Sequence, residues 1–294
     1  MQSRIEQAYE IETFHFNTKF RKNYYKNPST RCEFSLAESN KYKSIRLAHI
    51  ALPNSWYLFS NLLENNKFII QYENETTSDI EILEVIIPEG NYTPGDLENF
   101  LNSTYFHESG RTYGFSKVKF SISKQTLKST FSLVNTTVEE NIKFHLVFID
   151  ATTNTIMNTC GWLLGFRYGK YLNIKDEVYS EGLYDGGGDR YIYFCLRNAE
   201  LQNAYNKHKI LLEDQRLSFQ SENVLAKLYL KNGKFTINID EQKDNEFSYS
   251  RVLLLKESQN IEKIQISIVD QYGQEIYLNH MDFSFTLEMY KDVN

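Results

Sequence analysis

Hydrophobic and polar positions alternate at period two along most of this chain. Residues 118–123 (VKFSIS) and 129–134 (STFSLV) alternate cleanly, and the short loop 124–127 between them predicts a hairpin. The same strand signal marks residues 67–72 (KFIIQY), 80–87 (IEILEVII), 142–149, 191–196, 224–230, 247–255, 261–269 and 283–289. In residues 44–52 (SIRLAHIAL), Ile45, Leu47, His49 and Ala51 fall on one face and Arg46, Ala48, Ile50 and Leu52 on the other. Apolar character on both faces predicts a strand covered on both sides, ended by Pro53-Asn54.

Helical signals are few. Thr93 reads as an N-cap with Pro94 at N1 and Asp96 in the first turn, and Leu97, Phe100 and Leu101 make an i, i+3, i+4 face. Residues 156–166, with Trp162, Leu163 and Leu164, predict a second short helix. The balance is all-β, and regular turn spacing argues for a sandwich. Residues 167–190, which include Gly186, Gly187 and Gly188, and the polar stretch 198–221 read as a loop or small insertion in the middle of the chain. No repeat and no Pro-, Gly- or Ser-rich linker divides the rest. The expected organisation is an N-terminal arm or first strand over 1–30, then one sandwich domain over 31–294 with an insertion at about 167–221.

Composition supports this picture. The 294 residues are 41% hydrophobic and include 21 Tyr and 20 Phe, residues that favour strands, while 13 Gly and 4 Pro rule out collagen-like and linker-like chains. A net charge of -6 leaves no basic field for general nucleic-acid binding. The exception is local: Lys19, Arg21, Lys22 and Lys26 lie beside Tyr24 and Tyr25. This segment reads equally as a basic arm that grips a neighbour and as a first strand with a solvated face. No apolar run approaches the ~18 residues of a membrane span, and the opening residues lack a signal-peptide core. Cys32, Cys160 and Cys195, odd in number and widely spaced, suggest reduced thiols. Sequons at Asn74, Asn91, Asn102 and Asn135 read as chance in a chain with 27 Asn.

Candidate chemistry is thin. Residues 165–171 (GFRYGKY) lack the glycine spacing and the hydroxyl of a phosphate-cradling loop, and read as a strand-to-loop transition. Residues 185–190 lack the alternating oxygen ligands of a calcium loop. The six histidines show no i, i+4 pair, and His49 and His145 read as half-buried strand residues. Cys160 reads as a buried thiol. No carboxylate pair is singled out for acid–base work. Neither an enzymatic activity nor a cofactor is expected.

Several segments, in order, resemble one family, the penton (vertex) and related minor capsid proteins of large eukaryotic double-stranded DNA viruses and their virophages. They are residues 50–57 (IALPNSWY) with 65–68 (NNKF), 87–93 (IPEGNYT) before Leu97 and Leu101, and the hairpin 118–133. Residues 162–166 (WLLGF) and 266–273 (ISIVDQYG) with 282–285 (DFSF) complete the series. The resemblance implies a single jelly roll of two facing four-stranded sheets. It implies a non-enzymatic structural protein of an icosahedral capsid, as a homopentamer at the five-fold vertices or at another minor capsid site. The partners implied are copies of itself, the major capsid protein and other minor capsid proteins, with no sequence-specific nucleic acid. The virion, assembled in the host cytoplasm, is the expected location. Contact with a membrane beneath the shell is left open. Loop aromatics are natural interface anchors, and Tyr24, Tyr25, Tyr184 and Tyr191 are the candidates. A carbohydrate- or receptor-binding sandwich is the rival, with surface Tyr and Asn recognising sugar.

Overall fold

The computed structural model describes residues 9–110, 114–137, 140–149, 156–202, 204, 210–211, 220–221, 224–231, 233–234, 236–241 and 252–292. Its elements begin with β1 (Tyr9–Asn17), β2 (Arg31–Pro53), β3 (Lys67–Asn74), β4 (Asp79–Ile86) and α1 (Pro94–Thr104). There follow β5 (Val118–Ile122), β6 (Ser129–Leu133), β7 (Ile142–Val147), α2 (Cys160–Leu163), β8 (Lys170–Ile174) and β9 (Glu177–Tyr179). The last part holds β10 (Tyr191–Leu196), β11 (Ile210–Leu211), β12 (Gln220–Ser221), β13 (Val224–Tyr229), β14 (Ile237–Glu241), β15 (Val252–Val269) and β16 (Ser284–Asp292). The all-β expectation holds. The chain divides into two compact units, one from residues 1–56 and 189–294, the other from residues 57–188. The sequence-derived bounds at 30/31 and about 167–221 cut across this division.

The first unit is built on one seven-stranded sheet in the order β1-β16-β2-β15-β10-β13, with β14 also paired to β2. The sheet curls around a core that includes Ile45 and Leu47 of β2, Phe194 of β10, Ile264 and Ile268 of β15, and Phe285 and Leu287 of β16. Residues 44–52 differ from the simple expectation. Pairing with β16 shifts register between Leu47 and His49, so Ala48 is an extra residue. Side chains on a strand change face when one residue is inserted. The buried set therefore runs Ile45, Leu47 and then Ile50, Leu52, while Arg46, Ala48 and His49 are half-buried. Apolarity on both faces reflects a bulge, not two covers. Pairing of β15 with β2 slips between Leu254 and Gln259 and again between Ile261 and Lys263. Two long bent strands thus stand where the sequence pattern gave shorter ones. Residues 247–251 of the expected strand lie outside the described residues, as does most of 198–221. Within the latter, β11 pairs with β12.

The second unit is a sandwich. Its four-stranded sheet runs β4-β3-β7-β8, and its three-stranded sheet runs β5-β6-β9. Alternate residues Phe68, Ile70 and Tyr72 of β3 and Phe144 and Leu146 of β7 join Val118, Phe120 and Phe131 in one core. The expected hairpin is β5–β6, with Phe120 opposite Phe131. Thr93 caps α1 as expected, its hydroxyl accepting from the Asp96 amide at 3.2 Å. Leu97 and Leu101 are buried. Asn102 is buried too, donating to the Phe120 carbonyl at 2.8 Å and accepting from the Phe120 amide at 2.9 Å. The expected second helix is short. It ends in a Schellman motif, with Gly165 N–H bonded to Trp162 O at 3.0 Å and Phe166 N–H to Gly161 O at 2.8 Å. Gly165 has φ +94°, and a Cβ there would sit 2.6 Å from the Gly182 carbonyl oxygen. The glycine of residues 162–166 is therefore a helix stop at a close backbone approach, not a strand-to-loop transition.

Candidate interface surface

Residues 18–29 of the first unit form a loop pinned from beneath by one buried cation. Asn17 caps the short 3-10 turn Thr18–Phe20, its side chain accepting from the Lys19 amide at 2.9 Å. Arg21 then turns inward. Its guanidinium donates to the carbonyls of Asn27 and Thr18, each at 2.7 Å, and of Tyr24 at 3.2 Å, and it pairs with Asp282. Thr18 and Tyr24 hydroxyls each donate to the same carboxylate at 3.1 Å. A buried charge is tolerated when its partners satisfy it in this way. The Arg21 guanidinium also stacks 4.1 Å from the Tyr24 ring centre. Asn23, at φ +55°, makes the turn that brings Tyr24 back over Arg21.

This hub leaves the apex facing solvent. Tyr25 is 98% exposed and Phe20 79%. Lys19, Lys22 and Lys26 are exposed and form no salt bridge among the described residues. Beside the loop, Ser29 donates to the Met281 carbonyl at 2.7 Å, and Asn279 donates to the Ser55 carbonyl at 2.7 Å. The first bond holds turn 277–281 against the loop, and the second ties the turn to the chain just after β2. Between loop and turn lies a groove of about 380 Å³, lined among others by Tyr24, Tyr25, Lys26, Tyr277 and His280.

Tyr191 occupies a different place in the same unit. On β10 it faces Tyr229 of β13, the last strand on the sheet's path, and Lys227 Nζ lies 3.6 Å from its ring centre. Tyr193 packs edge-on at 5.6 Å. This is an aromatic–cation ladder across a sheet margin. Tyr184 belongs to the second unit and is only 5% exposed. Its hydroxyl donates to the Tyr92 carbonyl at 2.7 Å, and burial pushes its phenol pKa up. It fills a core and presents no anchor. Of the four candidate tyrosines, only Tyr24 and Tyr25 share a site, and within that pair Tyr24 holds the loop while Tyr25 meets solvent. Phe20, the other exposed ring, was missed in the sequence because a 3-10 turn gives no periodic signal.

Reactive groups are held quiet. Cys160 is buried and donates to the Lys67 carbonyl, and burial raises its thiol pKa, as it raises that of Cys32 to about 12. His145 accepts from the Asn173 amide at 3.2 Å and lies 3.3 Å from Glu73. Among the described residues no three His, Cys, Asp or Glu side chains gather to hold a metal. Two buried charged groups of the first unit, Lys234 and Asp270, are shifted as well, and both feel the charge of Asp189. Trp56 donates to Asp189 at 3.1 Å, and Lys234 Nζ donates to the Trp56 carbonyl at 3.1 Å while lying 4.3 Å from its ring. Burial lowers the Lys234 ammonium to about 8. It raises Asp270 to about 6, although the carboxylate accepts from the Tyr272 and Gln274 amides at 2.8 Å each.

No protein-family model matches the sequence, and no curated protein is similar to it in sequence. Solved structures do match. The mavirus penton protein covers 97% of this chain and 99% of its own, with a TM-score of 0.50 at 13% identity. The fold is that of a penton jelly roll. A chain of the Sputnik virophage structure covers 96% of this chain and 98% of its own, at 10% identity and a TM-score of 0.42, too distant to add to the fold assignment. Against the penton fold implied by the sequence motifs, one detail changes. Two facing four-stranded sheets were implied, but β2 and β15 run unbroken through their bulges and join the first unit's strands into a single curled sheet.

Proposed function

We propose that this chain is a non-enzymatic capsid protein, and specifically the penton subunit that forms homopentamers at the five-fold vertices of an icosahedral double-stranded DNA virus. What supports it most is that the penton fold extends over nearly the whole of both chains. The surface agrees with that reading, since stiffly mounted aromatic and cationic groups suit contacts between subunits. The mechanism is geometric. A subunit that presents different surfaces to its two cyclic neighbours makes a heterologous contact, which closes as a ring. β1 and the pinned loop contribute to those surfaces. Tyr25 and Tyr191 act as contact groups toward neighbouring copies or the surrounding major capsid protein. The virion is the protein's place of action, after assembly in the host cytoplasm.

Electron cryo-microscopy of assembled particles tests the assignment. Density at the five-fold vertices that fits this chain supports it, and the chain at another capsid position makes it a minor capsid protein of a different site. One observation favours the rival sugar-binding reading: the exposed Tyr25 beside a groove lined also by Asn27, Tyr277 and His280. Specific retention of a glycan by the monomeric chain, lost in Tyr25→Ala, supports that reading instead.

A further inference from the structure

One strand of the second unit carries a surface opposite in character to the 18–29 loop. β4 ends its sheet and pairs only with β3 among the described strands. Ile87 N–H bonds to the Asn66 carbonyl at 2.8 Å, so by antiparallel alternation residues 81, 83 and 85 face β3 through their backbones. The backbone groups of Ile80, Ile82 and Glu84 therefore point along the open edge. At its end the Tyr105 hydroxyl caps Ile86, bonding to its amide and carbonyl at 3.4 and 3.1 Å. The same residues project outward. Ile80 is 64% exposed, Ile82 68% and Ile86 45%. Glu84 is exposed among them and forms no salt bridge among the described residues, while Asp79, exposed at the start of the strand, alternates onto the opposite face with Glu81 and Val85. An open edge with a row of isoleucines is a liability that proteins usually cover or charge.

The loop supplies what this edge lacks: three exposed lysines, none in a salt bridge among the described residues, around two exposed rings. We propose that the 18–29 loop of one copy docks on β4 of a second copy. Phe20 and Tyr25 cover Ile80, Ile82 and Ile86, while Lys19, Lys22 and Lys26 gather around Glu84. The apolar groups supply affinity and the charges set register and exclude wrong partners. Each copy carries both halves, so the contact can repeat from copy to copy as a ring requires. It rests on the pentamer reading and names the surfaces through which the ring is made.

Charge exchange tests it in the full chain, with association followed by native mass spectrometry across a concentration series. Two variants are made, Lys22→Glu/Lys26→Glu and Glu84→Lys, together with the chain carrying all three changes. Each half-exchanged chain is expected to need about fivefold more protein for half-assembly, as one lost charge pair would give. The three-change chain, with both signs reversed, recovers the wild-type value. An equimolar mixture of the two half-exchanged chains associates at lower concentration than either alone, with one mismatched contact left in each ring of five. That recovery also excludes misfolding as the cause of the loss. Rings that form equally well from all variants overturn this contact and leave the pentamer reading standing. A wild-type chain that stays monomeric at every concentration, with the capsid lattice protein present as well as without it, overturns both. Loss of DNA-duplex binding with unchanged self-association in Lys22→Glu/Lys26→Glu assigns the loop to nucleic acid and overturns the proposal.

Discussion

The two compact units reach stability by different means. The second packs short, regular strands around an aromatic network in which Phe131 lies 4.9–5.9 Å from Phe68, Phe106, Phe120 and Phe166. The first uses longer, bulged strands and fastens its irregular segments with buried polar hubs, at Arg21–Asp282 and at Trp56–Asp189–Lys234. Aromatic packing needs no particular partner, and the few polar groups within it, such as Asn102, are each hydrogen-bonded. A polar hub needs every partner present, and in return fixes a loop that has no regular structure of its own. The proposed contact loop grows from such a hub.

The comparison breaks most sharply at Phe131. Phe131→Ala should destabilise the chain by about 3–5 kcal/mol, read as a fall in the denaturant midpoint, because a ring is removed from a closely packed core. Arg21→Met should cost about 3 kcal/mol by leaving the Asp282 carboxylate without its cation, and Arg21→Met/Asp282→Asn should recover part of it. No such pairwise recovery exists for an aromatic cavity. If the Arg21 and Asp282 effects simply add, the hub description is wrong.

A smaller effect carries a pH signature. The folded Asp270 carboxyl titrates at about 6 against an ordinary 3.8, so the folded chain holds this proton to higher pH than the unfolded one. Stability from this group is therefore greatest below about pH 4, falls as pH rises toward 6, and stays reduced above it. Asp270→Asn should stabilise the chain at pH 7 by about 2 kcal/mol and change little at pH 4, as thermal unfolding at the two pH values will show. The smallest expected change is at the sheet margin. Lys227→Ala should cost about 0.5–1 kcal/mol through loss of the cation over Tyr191, measured by chemical denaturation.

Legibility in the sequence follows the same contrast. In the second unit, alternation predicted the β5–β6 hairpin, and Thr93-Pro94 predicted α1, because regular strands and capped helices write themselves in local pattern. In the first, bulges hid the true strands. Residues 31–43 of β2 were missed, and the polar middle of β15, around Lys256 to Asn260, made one strand look like two. The inserted Ala48 made an ordinary half-buried strand look doubly covered. The basic, aromatic character of residues 19–26 was legible, but which ring points outward was not, since Arg21 draws Tyr24 inward through a partner, Asp282, more than 250 residues away in the chain. Tyr184 was chosen for its loop-like surroundings, and only three-dimensional packing reveals that it is core. The exposed isoleucines of β4 were invisible for the opposite reason, because a strand of alternating Ile and Glu promises a buried apolar face.

The central claim is that this chain is a closed-ring building block whose function lies in shape. Native mass spectrometry of the purified full chain, alone and with the capsid lattice protein, tests it most directly. The account predicts a discrete species at five times the subunit mass. A chain that remains a monomer under both conditions contradicts it.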